Sequence, residues 1–213
     1  MMMGTRLIVA RHGNTFGPHD VVRRVGVTDL PLVDSGLQQG RQLGAYLKAN
    51  RLTPDCIFTS TLQRAVQTAE QAQQVMRTGL PIEMLSIFNE IDYGPDENQP
   101  EDSVIARLGA DALFAWERRG QVPDGWQVDP QDIIDHWCHF ADQLVRDFAG
   151  KTILVVTSNG IARFAPYLTG DFAGFCQAHG IKLSTGAVGI FEHQAASSVW
   201  HCSAWNLKPG AVI

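Results

Sequence analysis

Cysteine is sparse in this sequence. Its four residues, Cys56, Cys138, Cys176 and Cys202, are widely spaced and form no C-x-x-C pair. That pattern excludes a disulfide-stapled or cysteine-zinc framework and suits reduced thiols in a cytoplasmic setting. Long hydrophobic runs are missing too. The longest, such as Ile153-Leu154-Val155-Val156, fall far short of the ~20 residues that cross a bilayer, so no membrane partner is expected. After Met1-Met2-Met3-Gly4-Thr5-Arg6 there is no extended apolar region and no small-residue cleavage site, so no export signal is expected either. There is no excess of positive charge: the net charge is −5, which argues against general nucleic-acid affinity. Internal repeats and low-complexity tracts are also lacking.

What the chain has is an ordinary globular composition. Its 213 residues are 45% hydrophobic and 18% charged, enough for a core that needs no staples. We expect one domain spanning 1–213, with a cap or insertion over roughly 88–129. The charge is uneven. Residues 1–77 carry nine Lys/Arg against five Asp/Glu, and most of the acid lies between Glu83 and Asp147. A basic first third suits a small anionic ligand, whereas an acidic stretch is ordinarily a solvated face.

Arg6 to Ala10 is expected to form a short buried strand that ends abruptly at Arg11-His12-Gly13, with a loop to Gly36. From Leu37, the positions Leu37, Leu43, Gly44 and Leu47 have helical spacing. Cys56-Ile57-Phe58 is a second strand, followed by a helix N-capped by Ser60, with Leu62, Ala65, Val66, Ala69 and Val75 or Met76 inside. Pro81 to Leu85 is a third strand. A proline followed by two acids, Pro100-Glu101-Asp102, opens a helix in the acidic insertion. Asp129-Pro130 opens an amphipathic helix with Ile133, Trp137, Phe140, Leu144 and Phe148 on one face. Thr152 to Val156 is a central strand, and two more strands lie near Ala187–Phe191 and Ser198–Ala204. This alternation predicts an α/β three-layer sandwich with a mostly parallel central sheet flanked by helices.

Ligands of such sheets bind beyond the carboxyl ends of the strands. Three strand ends here carry chemically useful residues: Arg11-His12-Gly13-Asn14-Thr15, Ser60-Thr61-Leu62-Gln63-Arg64, and Thr157-Ser158-Asn159-Gly160. Together they suggest phosphoryl transfer. Neutral imidazole is a nucleophile near pH 7, and two guanidiniums can grip phosphoryl oxygens. A helix starting after Asn159 would aim N–H groups at the anion. Glu90, in Glu90-Ile91-Asp92-Tyr93-Gly94, follows the third strand and is the candidate proton donor. His136 and His139 flank Cys138 on a helix and are taken as surface residues rather than metal ligands.

These segments together resemble the histidine phosphatase superfamily, also called phosphoglycerate mutase-like. Arg11-His12-Gly13-Asn14-Thr15 is similar to its N-terminal signature, and Gly26, Asp29, Pro31-Leu32 and Gly36 keep the spacing that follows. Ser60-Thr61-Leu62-Gln63-Arg64-Ala65, with Thr68-Ala69, resembles its second arginine motif. Glu90, Gly94 and Glu97 resemble the segment that supplies its acid. The resemblance implies that His12 becomes phosphohistidine and that Arg11, Asn14 and Arg64 bind the phosphoryl group. It further implies that Glu90 protonates the leaving alcohol, and that no metal or cofactor takes part. The partner would be a small phosphorylated metabolite or a phosphopeptide. The oligomeric state is not legible.

Two departures stand out. Where the family usually presents a second histidine, the gapless register puts Ser158, and a one-residue shift puts Asn159. Both are expected to serve as neutral phosphate donors, Ser158 also as a helix N-cap. Losing a charged donor worth roughly 1.5–3 kcal/mol would slow the chemistry about 10- to 100-fold. Pro18 replaces an asparagine usual in the family, leaving Arg23 or Arg24 to supply that loop's contacts. The resemblance therefore implies a phosphomonoester hydrolase, with a phosphoglycerate mutase-type phosphotransferase or a pseudophosphatase that binds phosphorylated ligands as alternatives. Asp92, Asp96, Glu97, Glu101 and Asp102 are expected near the mouth, where they would disfavour multiply anionic substrates.

Overall fold

Central strands that are apolar at successive positions put helices on both faces of one sheet. The computed structural model describes residues 4–194 and 197–211. Among these the strands are β1 (Thr5–Arg11), β2 (Arg23–Arg24), β3 (Cys56–Thr59), β4 (Ile82–Met84), β5 (Gln99–Pro100), β6 (Thr152–Thr157), β7 (Val188–His193) and β8 (His201–Leu207). The helices are α1 (Asp34–Ala49), α2 (Gln63–Met76), α3 (Glu101–Leu108), α4 (Ala110–Arg119), α5 (Pro130–Asp147), α6 (Asn159–Ala162) and α7 (Phe172–His179). The main sheet runs β4-β3-β6-β1-β7-β8. Its first four strands are parallel, β7 runs antiparallel to β1, and β8 runs antiparallel to β7.

In β1, Leu7 and Val9 face one core, and Ile8 and Ala10 face the other. In β6, Ile153 and Val155 share the first core, and Leu154 and Val156 the second. Strands buried on both sides read as continuous apolar runs, which is why Thr152 to Val156 carries no polar residue after its first. The first core packs under α5 through Trp137, Phe140 and Leu144, with Phe58 and Phe88 edge-on to Phe140. Asp129 starts α5 by accepting the Gln131 N–H at 2.9 Å, with Pro130 at its first position. The second core packs under α1 and α2. The result is the expected three-layer sandwich.

The α1–α2 layer lies close because small residues face each other. Gly36, Gly40 and Gly44 recur every four residues along the buried face of α1. A Cβ on Gly44 would strike the backbone of Ala72, and one on Gly40 would press on Thr68 and Gln71. The helix begins at Asp34, three residues before the expected start, and Leu37 is only half-buried. The start of α2 also differs from expectation. Ser60 is not its N-cap; the helix opens at Gln63, and the Ser60 hydroxyl accepts the Leu62 N–H at 3.4 Å. The free Gln63 N–H instead donates to Asp29 Oδ1 at 2.8 Å, so a residue from the β2–α1 loop performs the capping.

In the stretch expected as an insertion, β5 pairs antiparallel with β2, and α3 begins at Glu101 as the two acids suggested. No helix among the described residues is long and apolar enough to cross a membrane.

Gly44→Val should force α1 and α2 apart and lower stability by roughly 1–3 kcal/mol, read as a reduced urea midpoint. Gly79→Ala, which meets nothing within 4 Å, serves as the control. Equal midpoints for the two variants would show that the helices part without strain.

Candidate active site

The parallel strands β1, β3 and β6 end at one edge of the sheet, and β4 leads its chain to the same edge. There a cavity of about 430 Å³ opens. Arg11, His12, Asn14, Arg64, Glu90 and Asn159 all line it. Ser158 does not: it is fully buried, and its hydroxyl has no partner.

His12 follows the last residue of β1, where its N–H donates to Thr157 O at 3.0 Å. Its ring Nδ1 lies 2.7 Å from the Gly13 carbonyl oxygen. A carbonyl can only accept, so Nδ1 carries the proton and Nε2 keeps its lone pair. Burial, then the charges of Arg64 and Arg11, hold the imidazole well below its ordinary pKa of 6.5, so the ring is neutral at neutral pH. Gly13 packs on the backbone of Gly36, leaving no room for a side chain. Its N–H donates to Thr68 Oγ1 at 3.0 Å, and that hydroxyl donates to Arg64 O at 2.7 Å. Thr68 thus joins the nucleophile loop to the helix that carries Arg64.

Arg64 is buried with its guanidinium held by two carbonyls, Thr28 O at 2.8 Å and Gly26 O at 2.6 Å. The loop supplying them is fastened by Glu97, which accepts from Gly26 N, Thr28 N and Thr28 Oγ1. Arg11 donates Nη1 to Leu183 O at 2.9 Å, while its Nε is enclosed without a partner. Burial lowers the pKa of both arginines, and the nearby Glu90 carboxylate works the other way. Asn14 Nδ2 donates to Ser35 Oγ at 3.2 Å.

Glu90 is buried and held from two sides. Its Oε1 accepts the Ile91 N–H and its Oε2 the Gly160 N–H, both at 3.0 Å. A side chain on Gly160 would collide with this carboxylate. The first turn of α6 therefore spends that N–H on Glu90, which revises the expectation of a helix terminus aimed at an anion. Asn159 turns Oδ1 to the Leu183 N–H at 2.9 Å.

Several cavity residues had no motif to announce them. Tyr93 is buried at the wall, and burial followed by the Glu90 charge pushes its phenol well above the ordinary range. Arg24 lies over the rings of Tyr93 and Trp126, at 5.5 and 5.4 Å, and pairs with Glu101. Lys182 pairs with Glu117 at 3.2 Å. The expected acidic mouth is not there. Asp96 is buried under Arg107 and Trp126, Glu97 is spent on the loop, and Asp92 accepts the Gly94 N–H. Of the five acids, only Glu101 lines the cavity. Arg11, Arg23, Arg24, Arg64 and Lys182 face Glu90, Glu101 and Glu117 there, an excess of positive charge. His136 and His139 are exposed on α5.

A profile described as the histidine phosphatase superfamily (branch 1) matches residues 7–208. The 2,3-bisphosphoglycerate-dependent phosphoglycerate mutase of Mycobacterium tuberculosis (strain H37Rv) is 27% identical over 169 residues, 79% of this chain and 66% of that protein. The chain thus spans slightly less than two thirds of that curated relative's length. Among solved structures, a mycobacterial glucosyl-3-phosphoglycerate phosphatase complexed with VO3 superposes with a TM-score of 0.77 at 21% identity, covering 95% of this chain and 98% of that one. A phosphoglycerate mutase from Bacillus anthracis superposes at 0.78 with 17% identity, covering 97% and 95%. At these identities the superpositions speak for the fold.

The His12 environment has a measurable consequence. Its ring resonance should stay at the neutral position through pH 6.5 and titrate only below it. The unfolded chain, with an ordinary histidine, takes up a proton near pH 6.5 that the folded chain refuses. Stability contributed by the neutral ring is therefore present above that pH and declines beneath it. His12→Gln should remove this part of the acid sensitivity in urea unfolding between pH 7.5 and 5.5. A His12 signal titrating at 6.5 or above would contradict the geometry.

Proposed function

The chain belongs to the histidine phosphatase superfamily, and from that membership and the cavity we propose that it is a phosphomonoester hydrolase working through phospho-His12. The observation that carries this reading is the Nδ1 contact with Gly13 O, which leaves Nε2 as a neutral nucleophile beside two guanidiniums. In the first step Nε2 attacks phosphorus and the P–O bond to the alcohol breaks. Glu90, in its acid form, gives its proton to the leaving oxygen. Arg11 and Arg64 offset charge on the phosphoryl oxygens, with Asn14 and Asn159 as neutral donors. In the second step water attacks phosphorus, the N–P bond breaks, and the Glu90 carboxylate takes the proton from water. Ser158, fully buried and outside the cavity lining, is not assigned the donor role that its place in the sequence suggested.

The substrate is a small phosphorylated metabolite. A mutase-type transfer, in which an alcohol replaces water in the second step, is favoured by one observation: the cavity lining carries five cations against three carboxylates, which suits a second anionic group.

Incubation with an aryl phosphate followed by an early alkaline quench should trap an acid-labile phosphate on His12. His12→Ala should abolish both the adduct and turnover. No adduct, together with unchanged residual activity in His12→Ala, would end the hydrolase and mutase readings alike and leave a phosphate-binding protein. Release of inorganic phosphate against transfer to an added alcohol distinguishes the two enzymes.

The cavity's positive excess also predicts substrate choice. At low salt, a phosphomonoester with a second anionic group should be turned over better than its neutral analogue. The advantage should shrink as salt rises. A preference for the neutral analogue would show that Glu101 and Glu117 dominate the field.

A further inference from the structure

Arg163 directly follows α6 and takes no part in the chemistry proposed above. It is 1% exposed, and among the described residues no carboxylate pairs with it. Its partners are backbone carbonyls. Nη1 donates to Trp116 O at 2.5 Å and Nε to Asn159 O at 3.2 Å, while the guanidinium lies 4.0 Å from the Trp116 ring centroid. Trp116 sits in the last turn of α4, where its carbonyl accepts the Gly120 N–H at 3.0 Å and the guanidinium takes its second lone pair.

The other acceptor opens the turn that orients the site. Asn159 holds Leu183 N through Oδ1, and Leu183 O in turn holds Arg11 Nη1 at 2.9 Å. The next residue, Gly160, gives its N–H to Glu90. One guanidinium thus stands where α4, the Arg11 anchor and the Glu90 anchor meet.

Resting on the proton-donor role proposed for Glu90, we propose that Arg163 is a positioning residue that fixes the Asn159-Gly160 turn against α4, so that Glu90 keeps its place beside the leaving oxygen. Burial brings its pKa down to about 10, with Tyr93 and Glu90 acting the other way, so it remains a cation at neutral pH. Each carbonyl also accepts a backbone N–H, Gly120 N on Trp116 O and Arg163 N on Asn159 O, so a neutral side chain would remove the second donor and with it the tie between α4 and the turn.

The test uses leaving groups. p-Nitrophenyl phosphate departs as a stable anion and needs little help from an acid, whereas glycerol phosphate departs as an alkoxide and needs the proton. Glu90→Gln, the reference, should lose about 100-fold or more in kcat on glycerol phosphate and far less on the aryl ester. Arg163→Met should show the same bias with little change in KM, and Arg163→Lys, which keeps the charge but lacks the planar fork, should recover part of the loss. If Glu90→Gln shows the bias and Arg163→Met loses equally on both esters, or loses nothing, the positioning role is overturned alone. If Glu90→Gln itself shows no bias, the proton-donor role fails and takes this inference with it. Should Arg163→Met not fold, Arg163→Lys carries the test: a smaller bias of the same sign supports the role, and none overturns it.

Discussion

Arg11, Arg64 and Arg163 bring three guanidiniums to one edge of the sheet, and in each case what meets the charge is backbone carbonyl oxygen. A carbonyl satisfies the N–H groups but does not cancel the charge. Ion pairing would have neutralised the site. Dipoles leave it positive, and burial in a poorly polarisable interior strengthens its pull on an anion. Much of the local architecture follows from the need to aim those carbonyls. The loop at 26–28 is pinned by Glu97 so that Gly26 and Thr28 face Arg64, and the end of α4 lies over Arg163.

The sheet delivers these pieces to a common edge because four of its strands are parallel. Continuous apolar runs in β1 and β6 set the two cores, and the cores set which helices lie on which face. The α1–α2 face holds the nucleophile loop through Thr68 and Gly36, and the opposite face holds Glu90 through α6. The site therefore joins the layers on the two faces of the sheet.

What could be read beforehand was whatever is local in the chain. Arg11-His12 and Asn159 sit at or just beyond strands whose apolar runs are plain, and Arg64 and Glu90 follow the shorter β3 and β4 by a few residues, so their meeting at one edge followed from topology. Residues whose role depends on a distant partner were invisible. Asp29 caps a helix that begins 34 residues later, and a local serine looked the better cap. The acids of 92–102 looked like a charged mouth because sequence cannot tell a solvated carboxylate from one that is spent. Asp96 under Trp126 and Glu97 under Thr28 are spent on holding the fold. Arg163 was lost for the same reason, since a helix end defines its place. Side-chain direction was beyond reach too: Ser158 and Asn159 are adjacent, yet only Asn159 reaches the cavity wall.

The glycines of α1 carry a consequence for how this sequence can diverge. The α5 layer is built of large rings and aliphatics that can trade volume with one another, so its composition has many acceptable solutions. The α1–α2 seam has no such reserve, because Gly40 and Gly44 are already the smallest residues and meet backbone on the other side. Any substitution there must move a whole helix, and Thr68 passes that movement to the backbone of Gly13, next to His12. The two faces of one sheet are thus under unequal constraint. One is free to drift so long as it stays greasy, while the other is held to particular letters far from the cavity it serves.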